Sequence, residues 1–379
     1  MGLLGLGRGS SPVGLDIGGG TFRLAQLKPS ADKSVLINYA TIKTPEGLVS
    51  EGEILDVEGV AKALAGFWRE KKISEKKVVV GVANQKVIVR VVEMPYMVES
   101  ELRSAIQYQI NEYIPIPVEE AIIDIQIISE HENSQQERMM DVLVVAARKE
   151  MVENTVAALE KAGLKPVIVD VSSLAFARAL AENTPERVLQ EEDEHKTAIA
   201  MVNISSNLTD IVVIEDEIPR FTRVSSMGGR VFTDALVEQL GMTFDEAEDM
   251  KKRIGLPASA NDGSDVNDSD ISDVVQYKDA VQNVLEQEMM RFVAEIRRSL
   301  DYYLVQATRA KSIDKIIISG GGAKLKNLLQ YLKDNFQIEV ELGQPLHSVQ
   351  LSKRLKIENI RDEELSMAIC LGLAMRGVA

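Results

Sequence analysis

Val13-Gly-Leu-Asp16-Ile-Gly18-Gly19-Gly20-Thr21-Phe-Arg23-Leu-Ala decides how this chain is read. Apolar runs at 13–17 and 22–27 flank the glycines, the pattern of a strand, a tight turn and a second strand. A turn without side chains lets backbone N–H groups come within hydrogen-bonding distance of a phosphate. A dinucleotide-binding fold or a P-loop would need a helix after its glycines, and a P-loop would also need Gly-Lys-Ser/Thr. Asp16 stands at the mouth of the turn, where a carboxylate can hold hydrated Mg²⁺ against a phosphate.

The plan recurs. Val202-Asn203-Ile-Ser205-Ser206-Asn207-Leu-Thr-Asp210-Ile-Val212 again reads as strand, small polar turn, strand, and it begins a second lobe as the first hairpin begins the chain. Near the C-terminal end, Ile316-Ile-Ile-Ser-Gly320-Gly321-Gly322-Ala-Lys324 supplies another glycine turn.

Composition limits the possibilities. At 379 residues the chain is long for one core and comfortable for two lobes. A formal net charge of −15 argues against nucleic acid and against direct docking on anionic lipid. No stretch approaches the roughly 20 apolar residues that span a bilayer. The start is glycine-broken and does not read as a signal peptide, and Leu6 stands where myristoylation needs Ser or Thr. A cytoplasmic protein is expected. Cys370 lies alone in an apolar helix and reads as a small buried hydrophobe. His131, His195 and His347 are scattered along the chain, so a zinc site is not expected.

Between the hairpins the periodicity predicts a helix over 54–72 and then a small α/β module. The module has strands at 78–83 and 86–92, a helix capped by Ser100 and stopped by Pro115 and Pro117, and strands at 121–128 and 141–147. A helix at 150–162 and a strand at 166–171 follow. Residues 181–196 and 258–273 read as solvated connections, and 275–307 as one long helix with an apolar stripe.

Two clamping hairpins and a late glycine turn resemble the phosphate and adenosine segments of the actin–DnaK–sugar kinase superfamily, over nearly the whole chain. The resemblance implies an α/β fold of two actin-like lobes, a duplicated ribonuclease H-like unit. The order of the small module resembles the 1C subdomain of the cell-division protein FtsA. Phe221-Thr-Arg-Val-Ser-Ser-Met-Gly-Gly-Arg230 resembles the strand-to-helix step after the second hairpin, and Phe244-Asp-Glu-Ala-Glu248-Asp-Met-Lys251 the adenosine-side helix of FtsA. The run 104–117 and Asp301-Tyr302-Tyr303 are similar to the FtsA-like family of type IV pilus assembly, PilM. FtsA is expected to finish in an amphipathic membrane helix, and the type II secretion counterpart to continue into a membrane span. This chain instead reads to its end as part of the fold. The division implied is 12–77, 165–195 and 357–379 for the first lobe's core, 78–164 for the small module, 196–230 and 312–356 for the second core, and 231–311 for its subdomain.

Carried over by position, Asp16 would hold Mg²⁺ through water while Gly18, Gly19, Gly20 and Thr21 clamp the terminal phosphates of ATP. Arg23 would add a phosphate contact. Glu248 and Lys251 would bracket ribose and adenine, and Gly320, Gly321, Gly322 and Lys324 would form the late turn against adenosine and α-phosphate. Asp170, ending a strand before a helix, is either the acidic residue near an attacking water or, like Ser172, a helix cap. The second hairpin departs from the pattern Asp-x-Gly-Gly-Gly-Thr, having Asn203 for the aspartate and Ser205, Ser206 and Asn207 for the glycines. Asn cannot act as a base, whereas Ser and Asn still donate hydrogen bonds to phosphate, so at most weak ATPase activity is expected; Asp210 keeps the later acidic position. The family implies a platform protein on the cytoplasmic face of the inner membrane, binding the cytoplasmic N-terminal tail of PilN, with pilus motor ATPases, other platform proteins and a homo-oligomer as further partners. A filament-forming, FtsA-like membrane tether and a sugar-type kinase are the alternatives.

Overall fold

The computed structural model describes residues 11–133, 135–181, 196–258, 272–306 and 310–378. The expected connections at 181–196 and 258–273 lie almost wholly outside the described residues. In chain order the first part holds β1 (Val13–Ile17), β2 (Thr21–Lys28), β3 (Val35–Lys43), β4 (Val49–Ser50), β5 (Glu53–Ile54) and α1 (Val57–Glu70). Next come β6 (Lys77–Val82), β7 (Ile88–Pro95), α2 (Glu99–Tyr113), β8 (Ala121–Glu132), β9 (Arg138–Arg148), α3 (Lys149–Lys161), β10 (Lys165–Val171) and α4 (Ser172–Ala179). The second part holds β11 (Lys196–Ile204), β12 (Thr209–Glu215), β13 (Ile218–Ser225), α5 (Gly229–Leu240), α6 (Phe244–Ile254) and α7 (Ser272–Gln306). It closes with β14 (Ala310–Ser319), α8 (Leu328–Asn335), β15 (Glu339–Leu342), β16 (Gln350–Leu351), α9 (Ile357–Glu363) and α10 (Ala368–Arg376).

The duplication is visible in the strand order. One sheet runs β10-β6-β1-β2-β3-β16 and the other runs β15-β14-β11-β12-β13-β7-β9-β8. In each, a hairpin (β1–β2, β11–β12) is extended by an antiparallel third strand on one side and by two parallel strands on the other. The two-lobed α/β reading therefore holds. Strands buried on both faces read as continuous apolar runs, and β12 is buried along its whole length. Helices α4 and α10 fill the space between the lobes. Phe176, Ile369 and Leu373 pack there against Val79 of the first sheet and Met201, Val212 and Ile317 of the second.

Local signals set the ends of several helices. Asp56 caps α1 by accepting from the Gly59 N–H at 2.9 Å. Thr243 and Glu246 form a capping box on α6. Ser100 does not cap α2: Val98 occupies that position, and no side chain bonds to the helix start.

The small module is narrower than the sequence implied. Strand β6 pairs with β1 and β10 in the first lobe's sheet. Helix α3 buries Ala158 and Leu159 with Leu64, Phe67 and Trp68 of α1, in the first lobe's core. What remains is the antiparallel trio β7, β9 and β8, covered on one face by Leu102, Ile106 and Ile110 of α2. This trio joins the second lobe's sheet through one bridged pair, Phe221 with Arg90. Among the described residues no helix is long and apolar enough to cross a membrane.

Candidate nucleotide cleft

The first turn is the gap between the last rungs of β1 and β2, where Ile17 pairs with Phe22. It is held from below by Thr44: its hydroxyl donates to the Gly18 carbonyl at 2.6 Å and its N–H to the Gly20 carbonyl at 3.1 Å. The second turn is closed by the Ser205 N–H bonding to the Leu208 carbonyl at 2.9 Å. The first amides of α5 then fix its outer side, Gly229 N–H to Ser205 O at 2.8 Å and Arg230 N–H to Ser206 O at 2.7 Å. Carbonyls of both turns are thus tied down inside the protein, leaving a frame suited to presenting N–H groups to an anion.

The turns face each other closely. A methyl group placed on Gly19 would meet the Asn207 side chain at 2.9 Å, and one on Gly20 would meet the Ser206 hydroxyl at 2.8 Å. A side chain at either position would have to push Asn207 or Ser206 aside, so glycine favours the approach. The late turn rests on the end of β11: Gly320 has φ +91°, its N–H donates to the Leu365 carbonyl at 2.7 Å, and an added Cβ would lie 2.4 Å from the Ile204 carbonyl oxygen.

Between these elements lies a cleft of about 880 Å³ whose walls include Gly20, Arg23, Ser206, Glu248, Gly321 and Lys324. That volume suits a small-molecule ligand. Beneath it a cavity of about 50 Å³ is lined by Asp16, Gly18, Gly19, Ser205, Asn207 and Asp210. Burial raises the Asp16 pKa, with the Arg23 guanidinium, 3.8 Å away, opposing it. Burial also raises Asp210, to about 6, the Asn203 hydrogen bond lowering it and the Asp16 charge adding to the rise. One Asp210 oxygen, Oδ1, is buried without a hydrogen-bond partner. Two carboxylates that repel one another across a small polar cavity, one with an unanswered oxygen, are a donor set that fits a hydrated Mg²⁺ ion.

A family profile described as "Type IV pilus assembly protein PilM" matches residues 14–265 and 275–378. The chain belongs to the PilM family. A solved structure described as a PilM-PilN type IV pilus biogenesis complex is similar at TM-score 0.80 and 26% identity, covering 97% of this chain and 99% of that one. FtsA of Escherichia coli K12 is 22% identical over 222 residues, 54% of this chain and 49% of its own length, so the chain spans about half of that relative. FtsA of Bacillus subtilis is 21% identical over 359 residues, 88% of this chain and 78% of that protein. The ethanolamine utilization protein EutJ of Carboxydothermus hydrogenoformans, at TM-score 0.54 and 14% identity over 97% of this chain and 90% of that one, shares the fold.

Within this PilM-family cleft the sequence candidates are not all placed alike. Gly19, Gly20, Thr21, Arg23, Ser205, Ser206, Glu248, Lys251, Gly321, Gly322 and Lys324 line the large cleft, while Asp16, Gly18 and Asn207 line the small cavity below it. Gly320 shapes the late turn from behind. Asn203 is buried, its amide donating to Asp210 at 2.9 Å and to Ser205 at 3.1 Å, so it braces the turn from inside. The Lys251 ammonium is spent on Glu248 at 2.6 Å, the Thr233 hydroxyl at 2.8 Å and the Gly229 carbonyl at 2.9 Å, and it ties α6 to the start of α5. Burial lowers the Lys251 pKa against the pull of Glu248. For Glu248 burial works upward, but the bonds from Lys251, Thr233 and Lys252 outweigh it and the net shift is down.

Asp170 stands apart from the other candidates. Its carboxylate pairs with Arg178 at 2.9 Å and accepts from the Val171 N–H, and it lines neither cavity. Nor does it cap α4, whose start has no side-chain cap. The structure adds residues that the sequence reading left out. Thr44 holds the first turn, Lys43 and Lys252 line the cleft, and Arg230 lies over the Phe244 ring at 4.8 Å on the second lobe's wall. Glu363 accepts from Lys324 at 3.0 Å and stands 3.5 Å from the Tyr39 hydroxyl.

Proposed function

We propose that this PilM-family protein binds ATP with Mg²⁺ in the cleft and serves the inner-membrane platform of type IV pilus assembly. There it sits on the cytoplasmic face, through the cytoplasmic N-terminal tail of a PilN-type membrane protein. The observation that carries the nucleotide reading is the opposition of two tied-down turns above the Asp16–Asp210 pair. The backbone of the turns would clamp the terminal phosphates, with Arg23 and Lys324 supplying positive charge. Asp16 and Asp210 would hold the metal through water, and the metal's chemistry there is to neutralise phosphate charge. Arg230 and Phe244 offer a flat surface on the nucleoside side. Hydrolysis is slow at most, because an amide stands at Asn203 and Asp170 is engaged by Arg178.

The partner reading rests on family membership and on the full-length likeness to a PilM-PilN complex. The small module beside the first lobe offers the surface for an extended peptide. Titration calorimetry of the full chain with a synthetic PilN-type N-terminal tail, with and without ATP·Mg²⁺, tests it. Saturable binding is expected; heat only of dilution for the tail would end the partner reading while leaving the nucleotide reading standing.

A further inference from the structure

Strand pairing brings together three side chains that the sequence keeps far apart. Glu93 of β7 lies directly opposite Asp141 of β9. On β9's other side, Ser129 of β8 faces Asp141, and His131 follows two residues on, opposite Met139. Alternation along a strand puts all of these on the sheet face away from α2. One donor atom from each of Glu93, His131 and Asp141 lies within 4.8 Å of the others.

The chemistry of this group is that of a metal site. Among the described residues His131 makes no hydrogen bond with either ring nitrogen: Nε2 is 3.7 Å from Glu93 Oε2, and Nδ1 is buried without a partner. The ring is partly exposed, but its inward nitrogen, Nδ1, is left unanswered and gives up the hydrogen bond it had in water. Asp141 is buried and already oriented by the Ser129 hydroxyl at 2.9 Å and the Arg220 guanidinium at 2.8 Å, the outer support that metal-binding carboxylates require. Arg220 also lies 3.8 Å from the buried Glu215, so Asp141 and Glu215 share one guanidinium, while Glu93 has only His131 beside it at 3.7 Å among the described residues. We propose that Glu93, His131 and Asp141 bind a divalent transition metal of the zinc class on the small module. Imidazole with two carboxylates is a zinc-type donor set, with water completing the shell. Donor atoms around tetrahedral zinc stand roughly 3.3 Å apart, from bonds of about 2.0–2.1 Å. Glu93, with its side chain half exposed, can make the small adjustment needed.

Such an ion would staple the far end of β8 to β7 and β9, beside the Arg220 contact with the second lobe. The test uses the full chain, freed of metal by chelation, with ATP·Mg²⁺ present to occupy the cleft. Zinc is titrated in competition with a chromogenic chelator, and cobalt(II) is added separately to read its visible absorption. Expected are one zinc per chain, tetrahedral cobalt bands, and affinity weakened more than about tenfold in both His131→Gln and Glu93→Gln. Both positions are partly exposed, so the variants should fold, and their melting temperatures without metal should match the parent. Asp16→Asn should bind zinc as the parent does. Zinc binding that survives His131→Gln, that disappears with Asp16→Asn, or that is absent from the parent overturns the proposal.

Discussion

The Asn203 amide donates to the Asp210 carboxylate at 2.9 Å, so the residue that replaces the customary aspartate of the second hairpin spends itself on the next acid along. It answers one oxygen of Asp210 and leaves Oδ1 to the cavity that Asp16 shares. Much of the cleft's expected behaviour follows from this arrangement.

ATP·Mg²⁺ should stabilise the folded protein, since on the proposed reading both turns would contact the same ligand. At about 100 times the dissociation constant the gain should be about 2.7 kcal/mol. Asp16→Ala should remove most of its Mg²⁺-dependent part. Thermal melts with and without nucleotide and metal check this; melts unmoved by ATP·Mg²⁺ would overturn the nucleotide reading.

Asn203→Asp should place a third carboxylate beside Asp16 and Asp210 and delete the bond to Asp210. Without metal the variant should lose about 1–3 kcal/mol. With Mg²⁺ the loss should shrink and ATP turnover should rise from a near-zero parent value. Brisk turnover in the parent, unchanged in the variant, contradicts the assignment of this position.

Asp210 gives the metal-free protein a pH signature. Its folded pKa is raised to about 6, by burial first and by the Asp16 charge, whereas its unfolded value lies near the ordinary carboxylate range. The folded state therefore holds its proton more tightly. That contribution is fully present below about pH 4 and is lost as pH rises through about 6. Asp210→Asn should abolish the loss, so its stability advantage over the parent in chelator should grow from pH 4 to 7, by on the order of 2–3 kcal/mol. Mg²⁺ affinity of the parent should strengthen over the same interval. Urea titrations at several pH values settle the matter, and a gap that stays flat removes Asp210 from the site.

Gly320→Ala should cost on the order of 3 kcal/mol, because it adds a Cβ to a residue at φ +91° and drives it toward the Ile204 carbonyl. Gly47→Ala, also at positive φ but with open space around it, should cost less than half as much. Chemical denaturation of the two variants compares a strained contact with strain alone; equal losses would show that the contact with β11 carries no weight.

The net charge of −15 and the docking proposed for the small module together predict behaviour at membranes. Purified protein should stay behind when bare anionic vesicles float, and should float when a PilN-type tail is displayed on them. Flotation with bare vesicles would favour an FtsA-like tether.

Both hairpins were legible in the sequence because apolar runs broken by small residues carry their own local signature. Helix α1 was legible for the same reason: Val60, Ala61, Leu64 and Phe67 repeat at helical spacing and all face the core. Pairing partners were not. The run that forms β6 looks the same whether it joins β7 or β1, and only the closed sheet reveals that it belongs to the first lobe. At the site, glycines announce themselves because few other residues tolerate such approaches. Asp170 could not be judged, because the arginine that engages it lies two helical turns away on α4. Thr44 gave no signal at all. Its hydroxyl matters through one bond to a carbonyl of the first turn, and nothing in the run Lys43-Thr44-Pro45 marks that use.

The single bridged pair between Phe221 and Arg90 bears on how the molecule would carry a mechanical load. Five strands on one side of that seam and three on the other are each laced by full ladders, whereas the seam itself has one rung and the Arg220 ion pairs beside it. Under a load applied between the small module and the second lobe, this line is where the eight-stranded sheet has the fewest hydrogen bonds to resist parting. Parting there would leave the ladders on either side intact.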